Sequence, residues 1–255
     1  MNGSKVSAYL RVKDEINTIE ACLKSIDGIF DRIVIIHSNE DDDGTVEFMH
    51  NWAKKHSGYE IYEYPYFVLP AYSNLYNEPY KSENTLAAYN NFGLSFFEPE
   101  EWVCKIDADQ IYFRDALIEF VNGVKYQGQD NCKYALRGYN TFIYNNCLVK
   151  YAPVPLNGMG GDSYCVKRKN IGNFYQNGMV ETIELKDVVK SWIWHKSMWF
   201  HFMKNLKFSD GTVKNNDFAT QDEIEYLTQD EIDLFEKDIL PLLKNSKYNN
   251  LKFFK

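Results

Sequence analysis

The first half of the chain alternates β-branched runs with amphipathic stretches, and this alternation limits the fold more than any other feature. The run Arg32–His37 is apolar over most of its length, which is typical of a parallel strand covered on both faces. Before it, apolar residues recur at helical spacing at Ile16, Ile19, Leu23 and Ile26. Strands and helices in alternation predict an α/β fold with a largely parallel sheet, whose ligands bind at the carboxyl ends of the strands.

The same reading extends along the chain. We predict strands at 6–12, 32–37, 59–64 and 102–106 and helices at 16–26, 46–55 and 82–97, with Ser82 as the cap of the third helix. A long loop, 65–80, precedes that helix, and loops of this length are often functional. After Asp109 the pattern changes to a helix at 116–124 and strand-like segments at 134–144, 147–151, 164–166 and 188–194. Near the end, Thr220–Glu223 and Thr228–Glu231 each carry a capping-box signature.

Composition excludes several classes of protein. The 255 residues include 45% hydrophobic side chains, enough for a full core, and the net charge of −8 disfavours nucleic-acid binding. The five cysteines are odd in number and contain no CxxC pair, so we expect reduced thiols in a cytoplasmic protein. The sequence begins without an apolar signal core, and none of its segments is long enough to span a bilayer.

An acidic motif carries the chemistry. Asp107 and Asp109 follow the apolar run 102–106 directly, so both carboxylates can reach one site at the strand end. Hard divalent cations prefer such oxygen ligands and often share them with substrate phosphates. A bound cation would offset the charge of a leaving diphosphate. The motif alone is weak, because acidic pairs also cap helices.

With this motif, the first half of the chain resembles the GT-A glycosyltransferases, and in particular the family-2-like bacterial enzymes that build surface glycans such as lipopolysaccharide and lipooligosaccharide. The resemblance begins at Leu10–Glu15, continues through the helix at 19–26 and the strand at 33–38, and includes the turn Asp43-Gly44-Thr45. It ends at 101–109, where a strand leads into the acidic motif. The order of these pieces makes the match more specific than any one of them.

The resemblance implies a GT-A, Rossmann-like fold with a mixed central sheet and roles for individual residues. Arg11 and Glu15 would hold the base and ribose of a nucleotide-sugar donor, and Asp43 would lie near the base. Asp109 would bind Mn²⁺ or Mg²⁺, while Asp107 would contact the ribose or a metal-bound water. The ordinary alternatives are a surface cation for Arg11 and a helix-start charge for Glu15.

Two positions depart from the family pattern. The family usually has Asp at the end of the second strand, where it recognises the base, whereas this chain has His37 followed by Ser38 and Asn39. We therefore expect Ser38 or Asn39 to contact the base. The Arg usual in the helix before the metal strand is also missing from 88–94.

The second half supplies candidates for the remaining roles. An inverting transferase needs a carboxylate base for the acceptor hydroxyl. Asp162, which closes a Gly-rich loop, is the first candidate, and Glu181 is the second. A late His after an aromatic strand completes the metal shell in many GT-A enzymes, and His195 fits that place better than His201. Asp162 as a turn residue and His195 as a packed core residue are the alternatives.

Together these expectations predict a metal-dependent, inverting glycosyltransferase. It would transfer a hexose or N-acetylhexosamine from a nucleotide-sugar donor, which we expect to be UDP-linked. The acceptor would be a glycan or a lipid-linked glycan. A sugar nucleotidyltransferase and an inactive nucleotide-sugar or glycan-binding module are the alternatives. We predict a transferase domain at 1–215, with a nucleotide-binding half (1–109) and an acceptor half (110–215), and a helical extension at 216–255. The extension is basic and aromatic at its end, which suggests weak peripheral contact with the inner membrane. The alternative is that this end packs back on the domain or frays.

Overall fold

A computed structural model describes residues 3–40, 43–71, 73–144, 147–151, 163–202, 206–207, 213–214, 224–248 and 251–253. Its first four strands are parallel and lie in the order β3-β2-β1-β4. They are β1 (Val6–Val12), β2 (Arg32–Ser38), β3 (Tyr59–Tyr64) and β4 (Trp102–Asp107). The register places Arg11 opposite Asp107, so polar side chains from both central strands meet at one sheet edge.

Helices connect these strands and cover the sheet. They are α1 (Ile19–Ile26), α2 (Thr45–Ala53), α3 (Leu86–Leu94) and α4 (Arg114–Gln127). One core cluster lies where α1 and α4 pack on the sheet, and a second lies where α3 packs, with Tyr9 and Val34 at its centre. The two clusters bury β1 on both faces, with Val6, Ala8, Leu10 and Val12 in the first and Tyr9 in the second.

The second half of the chain extends the sheet with antiparallel strands. The strand β8 pairs with β4, and β6, β7 and β14 follow in that order, while the long β11 runs parallel to β6 and antiparallel to β5. Two small pairs, β9 with β10 and β12 with β13, lie off this sheet. The strands are β5 (Gln110–Tyr112), β6 (Cys132–Tyr144), β7 (Cys147–Tyr151), β8 (Tyr164–Lys167), β9 (Ile171–Asn177), β10 (Val180–Leu185), β11 (Lys190–Phe202), β12 (Leu206–Lys207), β13 (Val213–Lys214) and β14 (Ile224–Glu225).

Two local features differ from the sequence prediction. Thr85, not Ser82, caps α3, because Thr85 is extended and its hydroxyl accepts a hydrogen bond from Ala88 N at 3.1 Å, while Ser82 lies in a short 3₁₀ turn. The hairpin β9–β10 was not predicted, although its two-residue turn, Gly178-Met179, starts with a glycine whose φ is 59°, as hairpin turns often require.

The C-terminal segment packs on the body of the domain. The helix α5 (Gln229–Leu234) begins with a complete capping box from Thr228 and Glu231, as predicted, and a π-helical turn and a 3₁₀ turn continue it to Leu243. The first capping box, Thr220–Glu223, lies outside the described residues. The domain boundary near residue 215 stays a prediction.

This packing agrees with the alternative in which the chain end packs back on the domain, while the predicted weak membrane contact stays a prediction. Phe235 and Leu243 are fully buried, Tyr248 is 8% exposed, and Phe253 packs against the same cluster. Aromatic side chains that face the core are not available to a bilayer. Within the described part of the chain, no helix is long and apolar enough to cross a membrane.

Candidate active site

A cavity of about 600 Å³ opens at the carboxyl ends of β1, β2 and β4. The hairpin β9–β10 forms one wall, and the loop after β3 forms another. The polar side chains that line it come from the first two strands, the acidic motif, the hairpin and the end of β11: Arg11, Lys13, Glu15, Ser38, Lys105, Asp107, Asp109, Glu181, Thr182 and His201. This position agrees with the rule that α/β sheets bind ligands at their carboxyl edge.

Four charged side chains form the floor of this cavity. Lys105, which is 2% exposed, places Nζ 2.8 Å from both carboxylate oxygens of Asp107. Arg11 Nη1 lies 2.8 Å from Glu181 Oε1, and Arg11 Nη2 lies 3.8 Å from Asp107 Oδ1. Two cations and two anions thus compensate each other where isolated buried charges would be costly. Sequence reasoning missed Lys105, although residues two apart on a strand share a face.

Glu181 is held as a carboxylate. Burial alone would raise the pKa of its carboxyl group, but the charge of Arg11, a backbone hydrogen bond and the charge of Lys105 outweigh burial and keep that pKa below its ordinary value. A general base works best with a pKa near the working pH. The Arg11 contact therefore argues against Glu181 as the base and favours a role in fixing Arg11.

The acidic motif meets a histidine from the far end of β11. His201 Nε2 lies 3.0 Å from Asp109 Oδ2, and His201 Nδ1 lies 2.7 Å from the amide oxygen of Asn140. Both partners are acceptors, an amide oxygen for Nδ1 and a carboxylate oxygen for Nε2, so each ring nitrogen is positioned to donate to its partner. Metal-bound histidines are normally oriented by such a partner on the second ring nitrogen.

The donor atoms of Asp109 and His201 suit a divalent cation. A carboxylate oxygen and an imidazole nitrogen face the same cavity, and both are ligands for Mn²⁺. The described residues contain no group of three His, Cys, Asp or Glu side chains that could hold a metal by themselves. A cation at Asp109 and His201 would therefore depend on further oxygen ligands from the diphosphate of the donor and from water.

The structure corrects the assignment of His195 to this place. The His195 side chain is 64% exposed, lies 3.9 Å from Glu119 and does not line the cavity. It lies six positions before His201, which is about 20 Å along a strand. The position of β11 follows from its pairing, in which His201 lies opposite Gln110, the residue after Asp109. Strand bulges between Ile193 and Phe200 hide this register from the sequence.

The loop after β1 is fixed by hydrogen bonds. Glu15 N donates to Thr45 Oγ1 at 2.9 Å, and the Glu15 carboxylate accepts from Thr18 Oγ1 at 2.9 Å, while the residue lines the cavity. The Asp43 carboxylate accepts from Ile16 N at 3.1 Å and from Thr45 N at 3.0 Å. Asp43 is not among the cavity-lining residues, so these contacts point to a role in holding the loop.

Ser38 is the polar group best placed for a ligand at the end of β2. It is 1% exposed, lines the cavity, and its hydroxyl has no hydrogen-bond partner within the described residues. A buried hydroxyl without a partner costs about 1–3 kcal/mol, which a ligand group could recover. Asn39, by contrast, donates to Pro65 O at 3.2 Å. The first base candidate, Asp162, lies outside the described residues.

Comparison with known families identifies the chain. The family model for β-1,4-N-acetylgalactosaminyltransferase (CgtA) matches residues 3–195. The chain belongs to the CgtA family. The match spans β1 to β4, the acidic motif, the hairpin β9–β10 and the first part of β11, so it includes most of the cavity wall. It confirms the predicted resemblance to bacterial surface-glycan transferases.

Solved structures agree with this assignment at the level of the fold. TarS of S. aureus (residues 1–349) superposes with a TM-score of 0.50 at 10% identity over 78% of this chain, and the match spans 60% of that solved chain. Glucosyl-3-phosphoglycerate synthase of Mycobacterium tuberculosis in complex with UDP gives 0.42 at 13% identity, over 95% of this chain and 80% of that one. GlyE of Streptococcus pneumoniae gives a TM-score of 0.38 at 15% identity, over 66% of this chain and 35% of that one. A comparison of this chain with curated protein sequences finds no match. The superposition on TarS and the family match together confirm the predicted α/β fold of the GT-A type.

Proposed function

We propose that this CgtA-family protein transfers N-acetylgalactosamine from UDP-N-acetylgalactosamine to a glycan acceptor during synthesis of a bacterial lipooligosaccharide-type surface glycan. The observation that carries the proposal is the cavity at the carboxyl ends of β1, β2 and β4, where Asp107, Asp109 and His201 converge in a chain of this family.

The nucleoside would occupy the part of the cavity near β1 and β2. Glu15 is placed to accept hydrogen bonds from ribose or base, and the buried Ser38 hydroxyl is placed to bond the base. Arg11, fixed by Glu181, contributes positive charge at the floor. Asp107 is oriented by Lys105 and could accept from a ribose hydroxyl.

The diphosphate would lie toward Asp109 and His201, which would hold Mn²⁺ or Mg²⁺. When bound, the cation would stabilise charge on the departing diphosphate. His201 is kept in one orientation by Asn140, so its Nε2 atom is pre-positioned toward the cavity.

The acceptor hydroxyl needs a base. We keep Asp162 for this role, and we propose an inverting transfer in which Asp162 removes the proton as the hydroxyl attacks the sugar. Glu181 is the poorer choice because Arg11 and Lys105 stabilise its charged form. Its place in the wall still suits a positioning role for Arg11.

The five cysteines support a cytoplasmic reaction. All five are free thiols, and Cys104 and Cys165 stay unlinked although they lie directly opposite each other on β4 and β8. Such thiols are typical of a reducing compartment. Any membrane contact of the described residues would rest on the charges of Lys244, Lys247 and Lys252, since Tyr248 and Phe253 pack on the domain.

The test is incubation of the protein with UDP-N-acetylgalactosamine and Mn²⁺ or Mg²⁺, with analysis of nucleotide products. Release of UDP supports a transferase, and the Asp109→Ala variant should lose it. Pyrophosphate formation from a sugar phosphate and UTP would identify a nucleotidyltransferase instead. Tight UDP binding without turnover, with lipooligosaccharide fragments added as acceptors, would identify an inactive binding module.

A further inference from the structure

A second cavity, of about 490 Å³, lies under the long loop between β3 and α3. Its lining combines aromatic rings with carboxylates, an ammonium and an amide, and consists of Pro65, Tyr66, Phe67, Leu69, Leu75, Glu78, Pro79, Tyr80, Lys81, Glu83 and Asn84. None of these residues takes part in the site described above.

The two cavities share a wall. Phe67 and Leu69 line the second cavity, whereas Val68 and Pro70 line the first. This alternation is what an extended segment produces, because successive side chains point to opposite sides. A ligand in the second cavity is therefore separated from the donor cavity by the thickness of a single chain segment.

The loop that builds the second cavity is held in place. Leu69 N donates to Asn84 O at 2.8 Å, Tyr76 OH donates to Leu69 O at 3.1 Å, and Tyr64 OH donates to Glu83 O at 2.6 Å. Binding to a loop fixed in this way would not need to order it first. Long loops with such internal contacts are often functional.

The chemistry of the lining matches a sugar chain. Tyr66 and Tyr80 are 47% and 43% exposed, and exposed rings of this kind cover the apolar C–H face of a pyranose while their hydroxyls stay wet. Glu78, Glu83 and Asn84 offer oxygens that accept hydrogen bonds from sugar hydroxyls. The lining carries two carboxylates, Glu78 and Glu83, and one ammonium, Lys81. Its net negative charge favours uncharged sugars over anionic ones.

We infer that this second cavity binds an uncharged oligosaccharide segment of the acceptor, at some distance from the hydroxyl that reacts. The inference rests on the proposed function, because it assigns the acceptor of that reaction to a place beside the donor cavity. Binding of remote sugars there would hold the reacting end of the glycan at the first cavity.

Two variants test the inference: Tyr66→Ala and Tyr80→Ala. Tyr126→Ala is the matched control, because this tyrosine on α4 is 63% exposed and lines neither cavity. The probes are lactose and maltotriose, titrated by ligand-observed NMR, and UDP-N-acetylgalactosamine, titrated by calorimetry with Mn²⁺. Melting temperature reports folding for each variant.

We expect the wild-type protein and Tyr126→Ala to bind at least one of these oligosaccharides equally. Each cavity variant should weaken that binding about tenfold, the loss of roughly one aromatic stacking contact, with unchanged affinity for the nucleotide sugar. Unchanged oligosaccharide affinity in both variants, or no oligosaccharide binding by the wild-type protein, would overturn the inference and leave the proposed function intact. Failure of the wild-type protein to bind the nucleotide sugar would instead count against the proposed function.

Discussion

Asp109 Oδ2 and His201 Nε2 lie 3.0 Å apart although 92 residues separate them in the chain. The contact follows from sheet pairing. The strand β5 begins directly after Asp109, and β11 returns antiparallel to it with His201 opposite Gln110. The acidic motif at the end of β4 is therefore met by a strand that the family model matches only in its first part.

The first prediction separates the two histidines of β11. His201→Ala should weaken Mn²⁺ binding in the presence of UDP by about 10- to 100-fold, because it removes an oriented imidazole beside Asp109. His195→Ala should leave Mn²⁺ binding unchanged, since its side chain is exposed beside Glu119. Free Mn²⁺ can be followed by electron paramagnetic resonance during the titration. Equal losses in both variants would remove the special role of His201.

A second prediction compares two buried serines: the hydroxyl of Ser38 has no hydrogen-bond partner within the described residues, whereas that of Ser25 has two. Ser38→Ala should weaken UDP binding several-fold, by about 1 kcal/mol, and leave the melting temperature unchanged, because its hydroxyl has no partner within the described residues. Ser25→Ala should instead lower the melting temperature and leave UDP binding unchanged. Ser25 Oγ donates to Cys22 O at 2.6 Å and accepts from Tyr112 N at 3.1 Å, away from the cavity.

Calorimetric titration of UDP and thermal unfolding measure both effects for each variant. A Ser38→Ala protein that melts well below the wild type while keeping its UDP affinity would show that the hydroxyl supports the fold. Ser38 would then have no part in binding the base.

How far the sequence predicts this site depends on how local each contact is. The strands β1 to β4 and the position of Asp107 and Asp109 follow from runs of a few residues, and they were predicted nearly to the residue. Lys105 was missed, although its spacing from Asp107 on one strand contained the information. His201 could not be chosen over His195, because bulges in β11 decide which histidine reaches Asp109.

The Arg11–Glu181 pair shows more clearly which contacts cannot be predicted from the sequence. Arg11 was predicted to bind the donor and Glu181 to be a candidate base, both from position in the chain. The pairing of β10 with β9, and the packing of this hairpin against α3, bring the two side chains to 2.8 Å. No local pattern encodes that distance, and it changes the expected role of Glu181.

The third prediction concerns this pair and pH. Glu181→Gln should destabilise the protein at neutral pH by about 1–3 kcal/mol, because it leaves a largely buried Arg11 without its closest carboxylate. The pKa of Glu181 is lowered in the folded protein, so its contribution to stability is present above the ordinary carboxyl pKa of about 4.3. It is lost as the pH falls through the lowered value.

The difference in melting temperature between wild type and Glu181→Gln should therefore be constant from pH 7 to about 5 and shrink at lower pH. Glu184→Gln, on the same hairpin and about half exposed, is the control and should show a small difference at every pH. A difference for Glu181→Gln that grows as the pH falls would contradict the assigned direction of the pKa shift.

The last prediction concerns residues 246–255. Tyr248 lies with its ring 4.9 Å from that of Phe202, and Phe253 lies 5.4 Å from Phe235. Burial raises the pKa of Tyr248 to about 12, consistent with a side chain withdrawn from water. Removal of this segment exposes the cluster around Phe235 and should cost about 3–5 kcal/mol, a typical value for loss of a buried aromatic side chain.

In a domain of this size that cost lowers the melting temperature by about 10 °C. The same segment should not bind the protein to phosphatidylglycerol vesicles at low salt, because Tyr248, Leu251 and Phe253 pack on the core. The variant Lys244→Glu with Lys247→Glu and Lys252→Glu is the control, since it reverses the charges and keeps the aromatic packing. Wild-type protein that pellets with vesicles while this variant stays in solution would show that the three lysines bind anionic lipid after all.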